Sequence, residues 1–149
     1  LAGSEEVALT VLYYSDKYSI NPFLSFSLVY TESRFSPIAK GHNSTSIDRG
    51  LFQLNSKKNN LLQDDDFYNI DTNARHGITH LRWCLDRAKN NEDTALAIYN
   101  AGLGRISYGS IPDSTKSYIS KIKQYKGRIA GQFKAYIGKK FSQETGDKE

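Results

Sequence analysis

A chain of 149 residues has room for one domain with a real core, and none for two domains of ordinary size. Hydrophobic content of 38% and aromatic content of 12%, with ten tyrosines, exclude a disordered tail. Twenty Lys and Arg against sixteen Asp and Glu give a net charge of +4, which favours an anionic partner without choosing between nucleic acid, a membrane surface and a cell-wall polymer.

In chain order the pattern is helical. Val7, Val11, Tyr14 and Tyr18 recur at helical spacing, and Ser4 before Glu5-Glu6 predicts the N-cap. Asn21-Pro22 then predicts a new cap with proline at the first helical position. The second helix places Leu24, Leu28, Thr31 and Phe35 on one stripe, and Pro37 is expected to end it. Glu32 lies at the flank of that stripe, near the helix C-terminus, where the helix dipole disfavours a negative charge. Ordinary helix building leaves it unexplained.

The polar, Gly-bounded segment "KGHNSTSIDRG" reads as loop, and "GLFQLN" as either a strand or one helical turn. Asp71 is a candidate cap for a helix carrying Ala74, Ile78, Leu81 and Leu85. A short helix in "EDTALAIYNAG" closes at Gly102. Ser114 can open a last helix with Tyr118, Ile122, Tyr125, Ile129 and Phe133 inward. The fold class expected is mainly α, with at most a small β element in the region 43–56. There is no repeat and no linker, so residues 1–149 read as one domain. Its basic helical extension covers about 126–141, and residues 142–149 form a frayed tail.

Several chemistries fall away on spacing. Cys84 is the only cysteine, so no internal disulfide forms, and its setting "HLRWCLDRA" reads as a buried helix thiol. His76 and His80 are four apart but lack the zinc-protease glutamate between them, and read as solvent-facing. "AGLGRISYG" lacks the phosphate-loop spacing, and "QDDDFYNID" lacks the alternating ligands of a calcium loop. The basic stretch "SKIKQYKGRIAGQFKAYIGKK" interleaves aromatics as nucleic-acid binders do, but at helical spacing that suits core packing. No apolar run reaches the length of a membrane span, and a chain starting at Leu1 says nothing of export.

What remains is a scattered set in a fixed order: Glu32-Ser33-Arg34-Phe35, Pro37-Ile38-Ala39, Gly50-Leu51-Phe52-Gln53, Tyr99-Asn100-Ala101-Gly102 and Thr115-Lys116-Ser117-Tyr118. Together these resemble the soluble-lytic-transglycosylase type of catalytic domain in the lysozyme-like superfamily, over roughly residues 20 to 125. Phe52 stands where that family carries Met. Ser114-Thr115-Lys116-Ser117-Tyr118 departs from its Glu-Thr-Arg-Asn-Tyr.

The resemblance implies a lysozyme-like helical fold and cleavage of the β-1,4 bond between N-acetylmuramic acid and N-acetylglucosamine in peptidoglycan. Glu32 would act as general acid and then as base, giving 1,6-anhydro ends. Raising a carboxyl pKa by apolar surroundings is the logic of the well-known lysozyme case. Gln53 and Asn100 would bond sugar and N-acetyl groups, and Tyr99 and Tyr118 would line the cleft, with Phe52 and Asp48 also at substrate.

Asp48 leaves an alternative open. It lies 16 residues after Glu32 (48 minus 32), much as the second carboxylate does in animal-type lysozymes. It could stabilise or attack in a hydrolytic muramidase, or merely order the Gly50 turn. A non-catalytic wall-binding protein of the same fold and a basic nucleic-acid-binding domain are the other readings. By resemblance no cofactor or metal is implied, the partner is the peptidoglycan glycan strand rather than nucleic acid, and the chain acts as a monomer in the bacterial periplasm or cell envelope. Arg34, Arg49 and the Lys-rich surface would meet the negative charges of its stem peptides.

Overall fold

The computed structural model describes residues 3–42 and 45–146, with side chains up to residue 140. Helix α1 (Glu5–Lys17) starts where its cap predicts, with Ser4 Oγ accepting the Val7 N–H at 3.2 Å. Glu5 and Glu6 in its first turn suit the positive end of the helix dipole. Asn21 Oδ1 accepts the Phe23 N–H at 2.9 Å, and Pro22 opens α2 (Pro22–Ser33). This helix ends earlier than Pro37 predicts. Arg34 and Phe35 are both left-handed, at φ 55° and 65°, so the chain has already turned away after Ser33. Burial of the Phe35 ring, against Tyr30 and Phe26, offsets the strain of that turn.

Next comes a three-stranded antiparallel sheet, β1 (Lys40–His42), β2 (Ile47–Arg49) and β3 (Leu54–Asn55), in that spatial order. Gly41 pairs with Asp48, and Asp48 with Asn55. The sheet begins before the predicted 43–56 window, and the "loop" reading of "KGHNSTSIDRG" is corrected at both of its ends. Most of these strand residues are partly exposed, so no alternating apolar pattern announces them. "GLFQLN" is a turn that runs into β3, not a helix.

Helix α3 (Ile70–Arg87) is capped by Asn69, whose Oδ1 accepts the Thr72 N–H at 2.9 Å. Asp71 is therefore a first-turn residue and not the cap; its carboxylate accepts the Tyr14 hydroxyl at 2.8 Å. The predicted stripe of Ala74, Ile78, Leu81 and Leu85 is buried. Asn91 caps α4 (Glu92–Ala101), and Gly102 closes it at φ 85°. A short α5 (Leu103–Tyr108), absent from the sequence reading, follows at once. Helix α6 (Asp113–Gly146) starts at Asp113 rather than Ser114 and continues through most of the segment expected to fray. Residues 147–149 of that tail lie outside the described residues. Ile119, Ile122, Tyr125 and Ile129 face inward, but Phe133 is 53% exposed, because the far half of α6 outruns the body it packs on.

The core forms where α1 meets α2 and α3, α3 meets α4, and α6 lies across α2 and α4. Two glycines let the sheet side join it. A Cβ at Gly77 on α3 would collide with the Phe52 ring. One at Gly50, where φ is +76°, would collide with the Phe67 carbonyl and the Asn73 amide. Buried Asn73 pins this junction. Its Nδ2 donates to the Arg49 and Phe67 carbonyls at 3.0 and 2.8 Å, and its Oδ1 accepts the Phe52 N–H at 2.8 Å. Two backbone groups flanking the Gly50 turn and a third at Phe67 are satisfied by one side chain.

Candidate active site

Glu32 is the second-last residue of α2, and its side chain leans away from the core stripe toward α6. There Tyr118 donates its phenolic hydrogen bond to Glu32 Oε1. Burial is the largest influence on this carboxyl and raises its pKa; the Tyr118 bond pulls it down, and the charge of Asp48 pushes it up again. The outcome is a pKa raised from 4.5 to about 7. A carboxyl so placed keeps its proton near neutral pH and can still give it up.

The carboxyl opens on a cavity of about 730 Å³ between the end of α2 and the exposed side of α6. Asn100, at the end of α4, lines the same cavity. Its Oδ1 accepts the Thr115 hydroxyl at 2.8 Å, which leaves its Nδ2 hydrogens as donors for whatever fills the space. Sequence reasoning gave Thr115 no role. The signal was present, since Thr115 and Tyr118 are three apart and share a face of α6.

The remaining expected residues fall on the sheet side. Asp48 in β2 receives the Asn55 amide at 2.8 Å, across the strand pair that aligns them. Gln53, left-handed at φ 48°, donates Nε2 to the Gly50 and Ala39 carbonyls at 2.9 and 3.2 Å, so its amide nitrogen holds the turn together. Tyr99 donates its hydroxyl to the Phe52 carbonyl at 3.1 Å. Burial, and the nearby charge of Glu32, keep its own pKa well above the ordinary value. Gln53 and Tyr99 both line a smaller groove of about 200 Å³ with Asn55, Lys58, His76 and His80. Phe52 is a correction. Its side chain is fully buried against Gly77, so it has no surface to offer a substrate; it contributes a backbone carbonyl instead.

His76 and His80 are not simply solvent-facing. His80 is half-buried, stacks on Trp83 with ring centroids 5.6 Å apart, and has its pKa lowered by burial. Cys84 is a buried thiol pushed up to about 12, unfit as a nucleophile. Arg49 pairs with Asp64 at 2.7 Å, whereas Arg34 lines the large cavity. Among the described residues, no group of three His, Cys, Asp or Glu side chains gathers as a ligand set, and no helix is long and apolar enough to cross a membrane.

Comparisons with known proteins bear on this arrangement. The family model described as the transglycosylase SLT domain matches residues 10–136, a wider span than the motifs alone covered. The fold is similar to that of an X-ray structure of the lytic transglycosylase Slt from Pseudomonas aeruginosa, an inactive mutant with glutamine in place of a glutamate. The TM-score is 0.72 at 20% sequence identity. That match covers 85% of this chain but only 24% of the Pseudomonas chain.

Proposed function

Because the chain belongs to the transglycosylase SLT domain family and its domain is that of a lytic murein transglycosylase, we propose that it cuts peptidoglycan between N-acetylmuramic acid and N-acetylglucosamine by way of Glu32. The observation that carries this reading is the recessed Glu32 carboxyl, bonded to Tyr118, raised to about 7 and open to a large cavity.

The protonated carboxyl gives its hydrogen to the glycosidic oxygen as the bond to C1 of the muramoyl unit breaks. The resulting carboxylate then takes the proton from that sugar's C6 hydroxyl, and O6 closes onto C1. One glycosidic bond is exchanged for an intramolecular one, no water is consumed, and Glu32 ends protonated as it began. Asn100 supplies N–H donors for the N-acetyl group, which stands in for an enzyme nucleophile. Tyr118 orients the acid. Gln53 and Tyr99 shape the groove on the sheet side. The substrate places the working site in the bacterial cell envelope, with residues 1–149 acting as one domain and as a monomer.

A hydrolytic muramidase reading has one observation in its favour: Asp48 is near enough to raise the Glu32 pKa. Mass spectrometry of products from purified peptidoglycan separates the two. Anhydro ends support the transglycosylase; ends heavier by one water would replace it with a muramidase, and no cleavage would leave a wall-binding protein.

A further inference from the structure

Beyond Ile129, helix α6 runs past the body of the protein and keeps aromatic side chains in the open. Phe133 is 53% exposed and Tyr136 is 61% exposed. Beside them lies an apolar groove of about 440 Å³, walled by Ala8 of α1, Phe23 and Phe26 of α2, and Ile129, Phe133 and Tyr136 of α6. The Phe133 ring meets Phe23 edge-on, with centroids 5.7 Å apart, which ties one wall to the other.

Charge surrounds this groove with one sign. No Asp or Glu stands between Asp113 and Glu144, so the helix is cationic or neutral throughout that stretch. Nearer the body, Lys116, Lys123 and Lys126 are matched to Asp113, Asp93 and Glu92. Lys134, Lys139 and Lys140 are exposed and join no ion pair among the described residues. At about 100° per residue, Lys140 falls on the face of Ile129, Phe133 and Tyr136, and Lys134 and Lys139 fall on its two flanks. Glu5 and Glu6, in the turn before Ala8, are outnumbered by these three lysines.

The pairing of an apolar stripe with flanking lysines selects the occupant. A second copy joined about a two-fold axis through α6 would set the lysines against their own counterparts, and like charges at a contact repel. Nucleic acid would satisfy the lysines and leave the apolar groove uncovered. An anionic lipid surface answers both halves. The headgroup boundary takes the aromatic rings, and phosphate groups take the lysines, whose long stems reach outward. Tyr136 suits that boundary, because its ring is apolar and its hydroxyl stays wet.

We propose that the far half of α6, with the groove beside it, docks this domain on a membrane surface rich in anionic phospholipid. The helix lies along that surface, since no helix of the described residues is long and apolar enough to cross it. This attachment is independent of the chemistry at Glu32.

The test is flotation of the protein with vesicles of equal parts phosphatidylglycerol and phosphatidylcholine, or of phosphatidylcholine alone. Binding should favour the anionic vesicles and weaken as salt rises. Lys134→Gln, Lys139→Gln and Lys140→Gln together should cost about a hundredfold in partitioning, at about fivefold for each lysine. A control triple, Lys17→Gln, Lys57→Gln and Lys89→Gln, removes the same charge elsewhere and should keep the preference. Melting curves confirm that each variant folds. Tyr136→Trp should show a blue shift of emission with anionic vesicles, over the background of Trp83, because the ring enters the lipid boundary. Equal losses in the two triples would make binding a matter of net charge and overturn the proposal. Equal binding to both kinds of vesicle, or a Tyr136→Trp emission that does not move, overturns it as well. Size exclusion, single-stranded DNA and purified sacculi serve as rival occupants. A dimer abolished by Phe133→Ala with Tyr136→Ala, or DNA or sacculus binding lost with Lys134, Lys139 and Lys140, would each overturn the proposal if vesicles fail to bind.

Discussion

Tyr118 and Glu32 are 86 positions apart in sequence, and their side chains meet in a single hydrogen bond with Tyr118 as donor. The bond favours the charged carboxylate, while burial and the charge of Asp48 favour the protonated acid. Burial wins, and the pKa rests near 7.

Glu32→Gln should abolish cleavage, because an amide has no acidic proton to give. It should also stabilise the protein in alkali. A pKa raised from 4.5 to about 7 means that the native state holds a proton the unfolded chain has released. The stability this contributes is full below pH 4.5 and is lost as pH rises through 7, up to about 3 kcal/mol. The variant should therefore melt several degrees above wild type at pH 8, with the gap closing below pH 4.5. Near-normal clearance of murein by the folded variant would remove Glu32 from the mechanism.

Cleavage by the wild-type protein should decline as pH rises above about 7, when the acid loses its proton. Tyr118→Phe deletes the contact that lowers this pKa, so the alkaline limb should move to higher pH. The maximum rate should drop about tenfold as the acid loses its orientation. A pH–rate profile checks both. An unchanged alkaline limb would mean that another group titrates there.

Asp48→Asn should shift the limb the other way, since a neutral amide no longer raises the Glu32 pKa. The Asn55 contact can survive, because an amide oxygen accepts as a carboxylate does. Anhydro products should persist. A loss as deep as that of Glu32→Gln, together with hydrolysed ends from the parent, would assign Asp48 a catalytic role in a muramidase.

Asn100→Ala should lower turnover more than it lowers murein binding, because misaiming an N-acetyl group raises the barrier while most sugar contacts remain. It also leaves the buried Thr115 hydroxyl without its acceptor, at a cost of about 1–3 kcal/mol. Turnover, murein pull-down and a thermal melt on one preparation separate the effects. Wild-type turnover with a lowered melt would make Asn100 structural only.

The sequence by itself determined the helices that sit on the core, because periodic apolar residues and caps act over one or two turns. Ser4, Asn21-Pro22 and Gly102 mark helix ends with contacts inside their own segments. Glu32 stood out for the same local reason, as a charge the helix end does not favour. Where partners lie far along the chain, local pattern is silent. The half-exposed strands carried no alternation, so β1 read as loop. Asp71 read as a cap from its local setting, but Asn69 caps α3, and Asp71 instead receives Tyr14 from α1. Phe52 looked like a cleft residue by its place among the motifs, until Gly77 gave its ring a seat in the core. The stack of Tyr30 on Tyr125, with Arg34 and Arg128 beside it, exists because α6 lies across α2. Packing between distant segments sets which side of a residue is buried and which partner it meets, and tertiary structure alone decides both.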